Sequence, residues 1–233
     1  MPQSRGRSSS ERAGSSGDVK RLAIIISGRG SNMAAILDAV ASASIAGRVV
    51  GVISNRPEAP GLATAAKHGV PTTVVDHRLF GDRAAFERAL VASIDALAPD
   101  LVILAGFMRV LSVSFVARYA GRLINIHPSL LPAYPGLDTH RRALADGVKI
   151  HGCTVHFVTA EVDHGPIIAQ GAVPVHRGDS EASLAARVLE TEHRILVAAV
   201  RWFCEDRLVG GEGTVGVKDG RDELPPLTVP DVA

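Results

Sequence analysis

Asn125 and His127 stand two residues apart at the end of the apolar run RLINIH, residues 122–127. Residues of a strand alternate between its faces, so this amide and this imidazole point the same way from one strand end. An amide N–H can donate to a developing oxyanion, and an imidazole can carry protons or steady the same charge. Asp163 lies downstream in a loop just before Gly165 and Pro166. A carboxylate there can set the tautomer of an imidazole and favour its charged form. No Ser or Cys nucleophile stands in an obvious place, which favours direct acyl or formyl transfer over a covalent intermediate. Against this stands the plainer reading, in which a single His after a strand is structural.

A second group with chemical promise is Ser27-Gly28-Arg29-Gly30-Ser31-Asn32, between the apolar run RLAIIIS and the helical pattern MAAILDAV. Glycines at a strand-to-helix turn let the backbone approach a ligand closely. The free N–H groups of the helix start suit a phosphate. The dinucleotide fingerprint is the rival, and it fails twice. Met33 occupies the third glycine position, and the second strand ends in Ser54-Asn55 with no acidic residue for a ribose. A nucleoside-triphosphate loop fails too, because no Gly-Lys-Ser/Thr follows. Either these residues cradle an anion or they only make a tight turn, with Ser31 or Asn32 capping the helix.

The elements that must hold these groups are legible as alternation. Buried-strand patterns occur at 21–27, 48–54, 71–76, 100–106 and 122–127. Helical patterns fall between them, at LATAAKHG with Gly69 at its end, at 82–98 with Asp82 at its start, and at SVSFVARY. Such alternation predicts an α/β fold, a single doubly wound, mostly parallel sheet flanked by helices. In the C-terminal half, strands at 152–159 and 167–175 are separated by only AEVDHGP, which predicts an antiparallel addition. An amphipathic helix is expected over 180–206. The organisation expected is a disordered extension over 1–19, one domain over 20–208 and an irregular tail over 209–233.

Composition narrows the function classes. Basic residues number 25 and acidic residues 24, so no strong field favours nucleic acid or an anionic membrane. The N-terminus has no apolar segment of a secretory signal, and no run approaches the roughly 18 apolar residues of a membrane span. The two cysteines, Cys153 and Cys204, are too few for a disulfide framework, and a cytoplasmic setting is expected. No grouping of His, Cys, Asp and Glu has a convincing ligand spacing, so no metal is expected.

The stretches NIHPSLLPAYPG and HGCTVHFVTAEVDHGPIIAQ strongly resemble the folate-dependent formyltransferase family, and the resemblance runs from about Arg21 to about Leu208. It implies that Asn125, His127 and Asp163 form the catalytic set. It implies that Gly30, Ser31 and Asn32 hold a substrate phosphate and that Glu192 lies near the substrate. It sets the folate against Arg83, Met108, Arg109, Val110, Leu111 and Asn125, and against the loop Thr159, Ala160, Glu161, Val162 and Asp163. The implied reaction carries a formyl group from the co-substrate 10-formyltetrahydrofolate to the amine of glycinamide ribonucleotide, in purine synthesis. Both partners are small molecules, with no nucleic acid and no membrane, and a homodimer is left open. Two other readings remain: a formyltetrahydrofolate hydrolase, and a folate or nucleotide binder without catalysis.

Other polar residues read more plainly. His140 either touches substrate or closes a loop. His151 and His156 flank a strand and are expected to be packed or hydrogen-bonded core residues. Cys153 is expected as a small buried residue, Arg141 and Arg142 as a solvated face, and Leu131–Pro132 as a cis bond in a tight loop.

Overall fold

Runs such as LAIII and VVGVIS have no polar alternation, so they can only sit where both faces are covered. The computed structural model describes residues 19–211, 213–220 and 229. In chain order its first half runs β1 (Lys20–Ile26), α1 (Ser31–Ala41), β2 (Gly47–Ser54), α2 (Gly61–Lys67), β3 (Thr72–Val74), α3 (Arg83–Ala96), β4 (Leu101–Leu104), α4 (Val113–Arg118) and β5 (Leu123–His127). The second half adds α5 (Thr139–Ala145), β6 (Ile150–Phe157), β7 (Ile167–Pro174), α6 (Glu181–Cys204), β8 (Leu208–Gly211) and β9 (Thr214–Val217).

One seven-stranded sheet has the order β3-β2-β1-β4-β5-β6-β7. β1 to β5 are parallel, and β6 and β7 are antiparallel additions, as the short connection between them predicts. Period two divides the core. Leu22, Ile24 and Ile26 face α1 and α6, whereas Ile25, Val102 and Leu104 face α3 and α4. The strand order reverses between β1 and β4, so a crevice opens there at the carboxyl ends of the strands.

Three sequence expectations need correction. The strand expected over 71–76 keeps only three ladder residues, all exposed, because it lies at the sheet edge. Neither Ser31 nor Asn32 caps α1; Gly30 does so through its backbone, in a left-handed conformation with φ +72°, and Asn32 is occupied elsewhere. The tail is not irregular throughout, since β8 and β9 pair as an antiparallel hairpin turned at Gly213. Leu208 and Val215 pack against the α1/α6 core, and this burial organises a segment whose glycines suggested none. The expected disorder over 1–19 falls, apart from Val19, outside the described residues, as does most of the tail beyond residue 220. The Leu131–Pro132 bond is cis. Among the described residues no helix is long and apolar enough to cross a membrane.

Candidate active site

Ser27 ties the crevice together. Its Oγ donates to Asn55 Oδ1 at 2.6 Å and accepts from Met108 N–H at 2.9 Å, and its N–H donates to Gly106 O at 3.2 Å. The ends of β1, β2 and β4 are thereby fixed to one hydroxyl. The glycine loop follows. Ala34 N–H makes the first helical bond, to Gly30 O at 2.9 Å, so the amides of Ser31, Asn32 and Met33 have no partner within the helix. Gly30 is required there, because its φ is left-handed and a Cβ would come within 3.1 Å of Gly61 Cα.

Asn32 is buried and turns away from this loop. Its Nδ2 donates to Glu192 Oε2 at 2.6 Å, across to α6, while its Oδ1 is buried without a hydrogen-bond partner. Burial pushes the Glu192 carboxyl up, and the bond from Asn32 opposes this. Glycine-loop amides and two buried acceptor groups thus stand side by side.

β5 delivers Asn125 and His127 to the neighbouring strand end. His127 is buried, with Nδ1 3.4 Å from Asp163 Oδ2 and Nε2 donating to Tyr134 O at 3.0 Å. An imidazole facing a carboxylate and a carbonyl donates to both only when both nitrogens carry protons. Asp163 sits in a left-handed turn, φ +56°, and its Oδ2 also accepts from Gly136 N–H at 2.8 Å. The structure thus brings His127 and Asp163 together, and Asn125 joins them through His156. His127 carries one more partner than the sequence suggested, the carbonyl of Tyr134 at its Nε2. Thr154 and Gln170 brace the loop after β5: Thr154 Oγ1 donates to Ser129 O at 2.7 Å, and Gln170 Nε2 to Leu131 O at 2.8 Å.

His156 belongs to this cluster and was read only as a core residue. It is opposite Asn125 in the β5–β6 ladder, its Nε2 is 3.3 Å from Asn125 Nδ2, and it is 3.9 Å from Asp163 Oδ1. No spacing along the chain reveals this, because the antiparallel register creates it. His151 is buried as expected, and its Nε2 meets His140 Nδ1 at 3.2 Å, which ties α5 to β6. Cys153 is fully buried, which pushes its thiol up to about 12. Arg141 pairs with Asp138 on the surface, and Arg142 donates to Pro135 O at 2.6 Å over the ring of Tyr134.

Among the residues expected to line the folate, three apolar side chains stand out to solvent. Met108 is 67% exposed, Val110 60% and Val162 49%, an arrangement that calls for a ligand face. Buried Glu87 fixes the chain at Ser112 by accepting from its N–H and Oγ, and Arg83 reaches Glu87 at 3.6 Å. Arg109 lies over the Phe86 ring. Thr159 Oγ1 donates to Glu161 O within the second loop. A cavity of about 620 Å³ opens behind that loop, between Thr159, Ala160, α4 and the β8–β9 hairpin. Asn125 and His127 do not line it, so it is distinct from the cluster described. Among the described residues no group of three or more His, Cys, Asp and Glu is placed to hold a metal ion.

A crevice of this kind, with an amide, an imidazole and a carboxylate at one strand end beside a helix N-terminus, suits transfer of an acyl group. Residues 20–200 match the formyl transferase family, and the chain belongs to that family. It is 50% identical over 205 residues to phosphoribosylglycinamide formyltransferase of Escherichia coli strain K12, covering 88% of this chain and 96% of that one. Among solved structures, glycinamide ribonucleotide transformylase 1 from Symbiobacterium toebii matches with TM-score 0.86 and 47% identity, over 91% of this chain and all of that one. A formyltetrahydrofolate deformylase from Burkholderia mallei matches less fully, with TM-score 0.78 and 33% identity over 70% of its chain.

Proposed function

We propose that the protein transfers the formyl group of 10-formyltetrahydrofolate to the amine of glycinamide ribonucleotide, in purine biosynthesis. The observation that carries this reading is the pairing of His127 with Asp163, joined by Asn125 through His156, at a strand end of the crevice where the start of α1 presents free amides. The amine attacks the formyl carbon and gives a tetrahedral species with an oxyanion and an ammonium. The bond from that carbon to folate N10 then breaks. One proton leaves the former amine and one reaches N10, so the products are the formylated amide and tetrahydrofolate.

In this reading the amides after Gly30 hold the substrate phosphate, and Glu192 with Asn32 Oδ1 accepts from substrate hydroxyls. Met108, Arg109, Val110 and Leu111, with Arg83 and residues 159–163, take the folate. Asn125 donates to the oxyanion. His127 gives up the Tyr134 carbonyl to do the same, and Asp163 orients the imidazole. Thr159, Ala160 and Glu161 shape the loop that brings Asp163 in. The near-complete match to chains named as formyltransferases supports transfer over hydrolysis. The reading sets the protein in the cytoplasm and needs no bound metal.

The deciding assay supplies 10-formyltetrahydrofolate with and without glycinamide ribonucleotide. Tetrahydrofolate should form only with the amine present, in step with formylated product. Formate release at the same rate without the amine would show a hydrolase instead.

A further inference from the structure

His156 is 2% exposed, and a buried imidazole needs both nitrogens accounted for. Its Nδ1 lies 2.9 Å from Phe157 O, a group that only accepts, so Nδ1 carries the proton. Its Nε2 is then a lone pair, 3.3 Å from Asn125 Nδ2. This fixes the amide one way round, because a flipped amide would set Oδ1 against the lone pair. One N–H of Nδ2 is engaged and the other remains to donate elsewhere. Gly165 protects the arrangement: a Cβ there would fall 1.6 Å from Phe157 O and 3.3 Å from His156 Nδ1, so only glycine lets the returning loop pass.

Resting on the formyl-transfer reading, we propose that His156 is a positioning residue, whose Nε2 lone pair holds the Asn125 amide with its second N–H toward the reacting oxygen. Burial keeps the ring below its ordinary 6.5, and nearby His127 acts in the same sense while Asp163 opposes it. Protonation would place a second N–H against the amide and favour its flip. The acceptor oxygen would then turn to His156, and the donor would leave its place. Asp163 does not compete for Nε2, because its nearer oxygen is 3.9 Å away and Oδ2 serves Gly136 and His127.

Two polar replacements separate positioning from packing. His156→Gln keeps an acceptor near the Nε2 position, whereas His156→Asn keeps the donor to Phe157 O and has no atom at Nε2. His156→Asn should lower kcat at least about tenfold while both KM values stay within about threefold, and His156→Gln should recover most of the rate. In an Asn125→Ala background, His156→Asn should cost nothing further. Equal rates for the two variants, or the full loss repeated without Asn125, would overturn the proposal. Nitrogen spectra of the wild-type ring need no variant. They should show the Nδ1-protonated neutral form at pH 7, and either the other tautomer or a charged ring there would overturn it. If that tautomer is found but the protein transfers no formyl group, the proposed reaction fails and not the hydrogen-bond geometry.

Discussion

At the scale of residues, the candidate chemistry rests on donors aimed at one developing charge. Removing a donor of this kind elsewhere costs about 10²–10³ in turnover. Asn125→Ala, His127→Ala and Asp163→Ala should therefore each lower kcat at least about tenfold while the proteins fold normally. The double variants should lose less than the product of the single effects, because all three groups act on one charge. Steady-state kinetics with circular dichroism checks this, and a His127 variant that keeps its rate would remove the site from consideration. Asn125 and His127 were legible as a pair because a strand spacing of two announces a shared face, whereas the grouping of Asp163 with them as a catalytic set came from the family resemblance. His156 was not, because its role comes from standing opposite Asn125 across a ladder. Nor was the Tyr134 carbonyl, since a backbone oxygen leaves no mark on residue type.

At the scale of elements, the glycine loop is a backbone device held by a side chain outside it. Gly30→Ala puts a methyl group 3.1 Å from Gly61 Cα and forces a left-handed backbone that costs about 1–2 kcal/mol for an L-residue. The apparent constant for glycinamide ribonucleotide should rise much more than that for the folate. Equal rises in initial-rate assays would count against phosphate binding by this loop. Ser27→Ala leaves the buried Asn55 Oδ1 without its hydroxyl, at a cost of about 1–3 kcal/mol for a buried group left unpaired, and releases the part-buried Met108 N–H. Urea unfolding should show the loss, and an unchanged midpoint would mean that water replaces the hydroxyl. β1, β2 and β4 were readable to within a few residues, because continuous apolar runs permit little else. α5 escaped notice because it follows Asp138 in a left-handed conformation, with no side-chain cap to announce it.

At the scale of the whole molecule, buried neutral histidines make the fold sensitive to acid. His151 is 1% exposed and is pushed down to about 4, first by burial and then by His140. The unfolded chain takes up this proton near 6.5 and the folded chain only near 4, so stability is complete above 6.5 and falls as pH drops toward 4. The loss should approach about 3 kcal/mol from this residue, with His140 and His156 adding in the same direction. His68, raised by its bonds to Thr64 and Asp38, works the other way but is solvent-screened. Unfolding free energies that stay level from pH 6.5 to 4 would contradict this account. The sheet also dictates an order in time. α6 covers β6 and β7 so closely that a methyl group on Gly171 would lie 2.2 Å from Thr191 Cγ2, and it carries Glu192 to Asn32. It is also the last long element to leave the ribosome. A nascent chain that already holds the glycine loop and the end of β5 still lacks Glu192, the carboxylate that Asn32 meets in the folded protein. With Glu192 in the substrate role proposed above, substrate cannot chaperone the early chain; it can only reward a molecule whose synthesis has passed residue 192.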